Sequence, residues 1–149
     1  MTPRILAIDF GTKRMGLAVS DALGMTAQGL PTLARTRVAD DLERLRALVE
    51  EYAVEKVLLG NPLGHGGGTT SMARLVAEFA DKLRRRLPCA VELRDERFTS
   101  VEANRTLREA GLSIRKRQRA VDRVAAVLLL QGYLDSLANE RRRESGTEE

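Results

Sequence analysis

The chain has 149 residues, 43% of them hydrophobic but only 3% aromatic, and it contains no Trp. That length is one ordinary domain with an aliphatic core, and so few aromatics argue against a surface that grips single strands by stacking many bases. A net charge of +4 and a pI near 9.7 fit a polyanionic partner, the lone cysteine, Cys89, excludes an intrachain disulfide framework, and no apolar run approaches a membrane span.

Met1 to Arg4 leads at once into a strand-like run with no apolar signal region, so a cytoplasmic location is expected. Ile5 to Ile8 is a continuous apolar run ending in Asp9-Phe10-Gly11-Thr12, which predicts a strand buried on both faces. A turn around Gly11 to Arg14 and a second run, Gly16 to Ser20, have hairpin spacing. Gly29 to Arg35 predicts a weaker third strand, assigned to an edge by Pro31. Leu42, Leu45, Leu48 and Val49 fall among charges between Asp40 and Tyr52, which is an amphipathic helix pattern. Lys56 to Gly60 is another buried strand. Asn61 and Pro62 break it, and a glycine-rich loop runs to Gly68. Thr69 or Ser71 can cap a helix reaching about Leu87. Ala90 to Arg94 is a strand, and Val101 to Ala110 a short helix stopped by Gly111. Gln118 to Asn139 is a long terminal helix, and Arg141 to Glu149 reads as a frayed polar tail. Three strands in a meander, followed by alternating helices and strands, predict an α/β fold with a mixed five-stranded sheet and helices on both faces. One domain over 1–140 and a tail over 141–149 are expected.

The positive charge is clustered. Arg84 to Arg86 and Arg141 to Arg143 suit solvated helix C-termini, where cations are favoured. Arg115, Lys116, Arg117 and Arg119 differ, because they lie just upstream of the terminal helical pattern and near a candidate acid.

Three acids stand out. Asp9 closes an apolar run expected mid-sheet, where a carboxylate is costly unless paired or metal-bound; a turn residue bonding the backbone of Gly11 or Thr12 is an equal alternative. Glu96 ends a strand beside Asp95; alternation separates the two side chains, and taken alone both read as solvent-facing charges. Asp122 lies on the inward stripe of the terminal helix with Ala125, Ala126 and Leu129. Ala7 shares Asp9's sheet face, so small residues on helix and strand would bring the two carboxylates together. Such a set, from two strand ends and one helix, is what a hard divalent cation takes. No His or Cys cluster offers a zinc site; Cys89 reads as packing and His65 as a loop residue. The loop from Gly60 lacks the Lys of a Walker A motif, although its amides could hold a phosphate.

The runs Asp9 to Asp21 (DFGTKRMGLAVSD), Gly60 to Leu63 (GNPL), Asp95 to Ser100 (DERFTS) and Val121 to Gln131 (VDRVAAVLLLQ) resemble, in order and across nearly the whole chain, the YqgF/RuvX family. The resemblance implies a ribonuclease H-like fold and a metal-dependent nuclease whose catalytic and metal-binding acids are Asp9, Glu96 and Asp122. The expected cofactor is Mg2+ or Mn2+, as two ions. Lys13, Arg14, Arg97, Arg115, Lys116, Arg117 and Arg119 are the expected nucleic-acid contacts. A fourth oxygen ligand is expected from water, Asp95 or Asp21. Two substrates follow: the 5′ end of pre-16S rRNA, ranked first, and the Holliday junction, for which a resolvase would act on branched DNA as a homodimer. A non-catalytic nucleic-acid-binding module and a half-size relative of the actin-like ATPases are the competing classes.

Overall fold

The computed structural model describes residues 3–61, 71–95, 109, 111 and 114–146. Arg4–Phe10 (β1), Arg14–Ser20 (β2) and Ala27–Ala34 (β3) come first. Val38–Glu51 (α1), Val54–Asn61 (β4), Ser71–Arg86 (α2) and Ala90–Asp95 (β5) follow, and Ile114–Gly146 (α3) ends the described chain. The strands form one sheet in the order β3-β2-β1-β4-β5. β1, β2 and β3 pair antiparallel, whereas β1, β4 and β5 pair parallel. β3, which carries Pro31, is an edge as its sequence requires.

Strand alternation sorts the side chains into two layers. Leu6, Ile8 and Phe10 of β1 join Met15, Leu17 and Val19 of β2 and Val57 and Leu59 of β4 in a core that includes Leu42 and Leu45 of α1 and Val76 and Leu83 of α2. Ile5, Ala7, Ala18 and Leu58 emerge on the other face, against Ala126, Leu129, Leu130, Tyr133 and Leu134 of α3. Each fully buried large aliphatic side chain contributes about 1.5–3 kcal/mol, so both layers are strongly held. They differ in shape: Ala7 and Ala18 face Ala126 on the α3 side, where β1 and β2 present Leu, Ile, Val and Met to the other. That difference lets α3 lie close to the strands.

Polar contacts fix α3 along the sheet. The Ala27 N–H donates to Gln131 Oε1 at 2.9 Å, and Gln131 Nε2 donates to the Met25 carbonyl at 3.0 Å. Farther along, Lys56 Nζ donates to the Tyr133 hydroxyl at 2.7 Å, and the Arg94 guanidinium stands 5.0 Å from the Tyr133 ring centroid.

α3 is longer than its apolar pattern, starting at Ile114 rather than Gln118 and running through Gly146 rather than Asn139. Its flanks are rich in Arg, Lys, Gln and Glu, which are strong helix formers, so the helix continues beyond its packed portion and takes in most of the expected tail. Of the expected helix over 101–110 only Glu109, which is helical, is described, and the glycine-rich loop that runs to Gly68 lies outside the described residues; Gly111 has the left-handed φ of +73° that a helix stop uses. Among the described residues no helix is long and apolar enough to cross a membrane.

Candidate active site

Asp9 is the penultimate residue of β1, 8% exposed. Its parity with Ile5 and Ala7 puts it on the α3 face of the sheet. Its partner across the β1–β2 ladder is Gly16. At Gly16 helix α3 meets the sheet: a Cβ added there would lie 1.8 Å from the Asp122 carbonyl oxygen and 3.0 Å from the Asp122 Cα. Only a glycine permits that approach. Asp9 and Asp122 are therefore both neighbours of one glycine, the first across a strand ladder and the second across a helix–sheet contact. Ala125 and Ala126, both fully buried, continue the close contact along the helix.

Asp122 is paired as well as placed. Arg14 Nε donates to its Oδ2 at 2.9 Å, and the Asp122 side chain is 20% exposed. Burial raises the Asp122 carboxyl above its ordinary value, and Arg14 pulls it back. Arg14 opens β2, one residue beyond the β1–β2 turn. That turn is held by the Gly11 N–H donating to the Arg14 carbonyl at 2.9 Å. Arg35 braces it from β3's end, donating through Nη1 to the carbonyls of Gly11 at 3.1 Å and Thr12 at 3.2 Å. The same guanidinium lies 4.3 Å over the Phe10 ring. Arg35 thus supports the turn next to Asp9.

The remaining expected residues divide by location. Lys13 is exposed in the β1–β2 turn. Asn61 ends β4 and pairs with Asp95, the last residue of β5, at the sheet edge where β1 ends in Asp9 and Phe10. Glu96 and Arg97 follow β5 and lie outside the described residues, as does His65. Arg115, Lys116, Arg117 and Arg119 fall within the first two turns of α3 rather than upstream of it. Among the described residues no group of three or more His, Cys, Asp or Glu could hold a metal ion.

Asp21 is a correction. As a fourth oxygen donor it would have to reach Asp9, but β2 carries it to the opposite end of the sheet, where the Ile5 N–H donates to the preceding Ser20 Oγ at 2.8 Å. Asp21 Oδ1 instead accepts from the Met25 N–H at 2.8 Å and the Thr26 N–H at 3.3 Å. Its carboxyl is lowered chiefly by the Met25 bond, the behaviour of a turn-building aspartate. Cys89 packs against the core beneath α1 and α2, and burial raises its thiol, as a packing role requires. Two residues of the site escaped sequence reasoning. Gly16 carried a usable signal, since glycine inside a strand marks close backbone approach. Arg35 carried none.

The family model described as "RuvX: Holliday junction resolvase" matches residues 3–136. A protein of Koribacter versatilis named "Putative pre-16S rRNA nuclease" is 50% identical over 93% of this chain and 90% of its own length. A relative of the same name from Moorella thermoacetica is 46% identical over 90% of this chain and 96% of its own. In fold, the chain is similar to the Fowlpox virus resolvase in complex with Holliday junction DNA, with a TM-score of 0.57 at 15% identity over 90% of this chain and 98% of that one. It is also similar to T. thermophilus RuvC bound to a Holliday junction substrate, with a TM-score of 0.54 at 14% identity over 92% and 96%. The match of the RuvX model over residues 3–136, with relatives 46–50% identical across at least nine-tenths of the chain, makes this chain, with its five-stranded mixed sheet of ribonuclease H-like fold, a member of the RuvX family.

Proposed function

We propose that this protein is a divalent-metal-dependent nuclease whose substrate is the 5′ end of the pre-16S rRNA, with Asp9, Glu96 and Asp122 as its catalytic carboxylates. The observation that carries the reading is the convergence of Asp9 and Asp122 on Gly16. Two acids that flank one glycine on a basic chain repel a phosphodiester unless a cation intervenes. Glu96 is the third acid of this reading. In sequence it follows Asp95, the last residue of β5, and has the parity of Glu92 and Arg94.

The donors fit the group. Carboxylate oxygens suit Mg2+ or Mn2+, and the proposed stoichiometry is two ions. When bound, the metal neutralises phosphate charge and activates the attacking water. The chain's own part is positional. Gly16 sets the spacing of Asp9 and Asp122, Arg14 orients Asp122 through Oδ2, and Arg35 fixes the turn after Asp9. The cations Arg115, Lys116, Arg117 and Arg119 stand at the positive end of the α3 dipole, where like charge is disfavoured; a polyanion relieves that cost. With Lys13 and Arg97 they form the proposed basic approach to the acids.

Junction cleavage is the second reading, favoured by the RuvX description and by the junction-bound fold relatives. The test is cleavage of end-labelled substrates in Mg2+ or Mn2+, with wild type beside Asp9→Asn. The panel holds a pre-16S rRNA leader, a four-way DNA junction and single-stranded DNA. Metal-dependent cutting of the leader, lost in the variant, is the expected result. Cutting confined to the junction, by a protein that sediments as a dimer, would replace the first reading with the second. Equal activity of Asp9→Asn would remove the carboxylate mechanism, and binding without cutting would make the protein a non-catalytic module.

A further inference from the structure

Beside the carboxylates, a groove of about 500 Å3 opens between α3 and the edge strand β3, lined by Lys13, Arg14, Pro31, Thr32, Ala34 and Arg123. Among the described residues that line it, three are cations and none is an acid. Arg14 is committed to Asp122. Lys13 and Arg123 are exposed, and neither is seen in an ion pair among the described residues. Resting on the nuclease reading, we infer that this groove carries the phosphodiester backbone of the substrate strand as it leaves the carboxylates, with Arg123 and Lys13 as its phosphate-binding cations.

Arg123 follows Asp122 on α3, so a phosphate it holds is close to the one at the acids. Its stem is seated by the sheet. A Cβ on Gly29 would lie 2.8 Å from both Cγ and Cδ of Arg123, so the absent side chain of Gly29 leaves the bed on which the aliphatic part of Arg123 rests. A long flexible side chain gains direction from such a bed and keeps its charged head in water. Gly29 pairs with Ala18, so this bed belongs to the same strip of small residues that admits α3.

The groove wall also says which part of the strand it holds. Pro31, Thr32 and Ala34 offer no aromatic plane for a base, whereas guanidinium and ammonium groups recognise phosphate. Binding here is therefore indifferent to base sequence and steep in salt. For single strands, each phosphate contact steepens the dependence of log K on log salt by about 0.7.

The test is fluorescence anisotropy with a labelled single-stranded RNA of mixed sequence, titrated at several salt concentrations in EDTA. Arg123→Gln is expected to weaken binding several-fold and to flatten the salt slope by about 0.7, with Arg123→Lys restoring most of both. Arg85→Gln, an exposed charge on α2 across the sheet, is the control and is expected to leave the slope unchanged. A wild-type slope in Arg123→Gln would overturn the assignment, as would an equal loss in Arg85→Gln or no binding of RNA by the wild type. Because EDTA suppresses any metal-dependent cutting, a flattened slope in a protein that never cleaves would uphold the groove while removing the nuclease reading. Matching thermal unfolding of Arg123→Gln and wild type assigns a lost slope to the missing cation. Should Arg123→Gln unfold early, the charge-retaining Arg123→Lys decides instead: it must keep the wild-type slope, and a flattened slope in that folded variant would overturn the assignment.

Discussion

Gly16 and Asp122 meet backbone against backbone, with room for no side chain between them: an added Cβ would sit 1.8 Å from the Asp122 carbonyl oxygen. Backbone on both sides cannot rotate away, so Gly16→Ala must lift α3 or bend β2. Forced overpacking of this kind costs about 1–3 kcal/mol. The larger consequence is geometric, because the same displacement separates Asp122 from Asp9. Gly16→Ala is expected to lower stability by that amount, read as a lower urea midpoint at an unchanged m-value, and to lose most metal-dependent cleavage under conditions where the variant is fully folded. Full activity would show that the approach of α3 at Gly16 does not set the site.

Arg14 opposes the effect of burial on Asp122. Removing the guanidinium leaves burial uncompensated, so the Asp122 carboxyl of Arg14→Gln must titrate at higher pH than in the wild type, itself above the ordinary value of 3.8. Carboxyl carbon NMR of metal-free protein measures both directly. The stability sign follows from linkage. A carboxyl raised in the folded state holds its proton more tightly there than when unfolded. Its ionisation therefore costs stability as pH rises from the unfolded value through the folded one. Arg14→Gln widens that window and steepens the loss. A fall in the Asp122 titration on removing Arg14 would contradict the ion pair's role.

The mixed sheet, the edge placement of β3 and the small-residue approach of α3 were legible because each follows from a local rule: the succession of strands and helices, proline's missing donor and side-chain volume; the strand order was not, because it depends on which strands pair in space. Asp9 and Asp122 could be joined from sequence because Ala7 and Ala126 announced a close helix–strand contact. The part of Gly16 in that contact was not read, since it depends on which residue faces Asp9 across the ladder, and register is a property of the folded pair. Asp21 failed for the complementary reason. Twelve residues on from Asp9, it closes the same family-like run, but a hairpin sends it to the far end of the sheet. The true span of α3 was hidden because its flanks carry no apolar stripe. Arg123 went unnoticed because an exposed arginine has no pattern until a groove surrounds it.

Asp41 is an acid whose role is structural. It is fully buried at the start of α1, accepting from the Thr36 N–H at 3.0 Å and the Thr36 hydroxyl at 2.9 Å, with the Arg44 guanidinium beside it. Burial alone would raise its carboxyl, but Arg44 and Thr36 together bring it below the ordinary 3.8. The stabilisation this represents is fully present above the unfolded value and is lost as pH falls through the folded one. Asp41→Asn is expected to cost about 1–3 kcal/mol at neutral pH, with Arg44's partial exposure softening the loss of its partner. The cost should shrink below pH 4. A urea series at pH 7 and pH 3.5 checks it, and an equal cost at both would show that charge is not what Asp41 supplies.

Ala53 leaves α1 with a φ of +51°, the left-handed conformation that glycine normally supplies just after a helix. The Tyr52 N–H still donates to the Leu48 carbonyl at 3.0 Å and the Ala53 N–H to the Glu50 carbonyl at 3.2 Å, so the helix end is satisfied while alanine's Cβ bears the strain. For an L-residue that strain is about 1–2 kcal/mol. Glycine would remove it at an entropic cost of about 0.5–1 kcal/mol in the unfolded chain. Ala53 is exposed, so no packing is lost. Ala53→Gly is therefore expected to stabilise the protein by about 0.5–1 kcal/mol, read as a higher urea midpoint at constant m-value. Because Ala53 precedes β4 at the sheet edge away from Asp9, cleavage should not change. A destabilised variant would mean that the chain's freedom before β4 outweighs the relief of the left-handed turn.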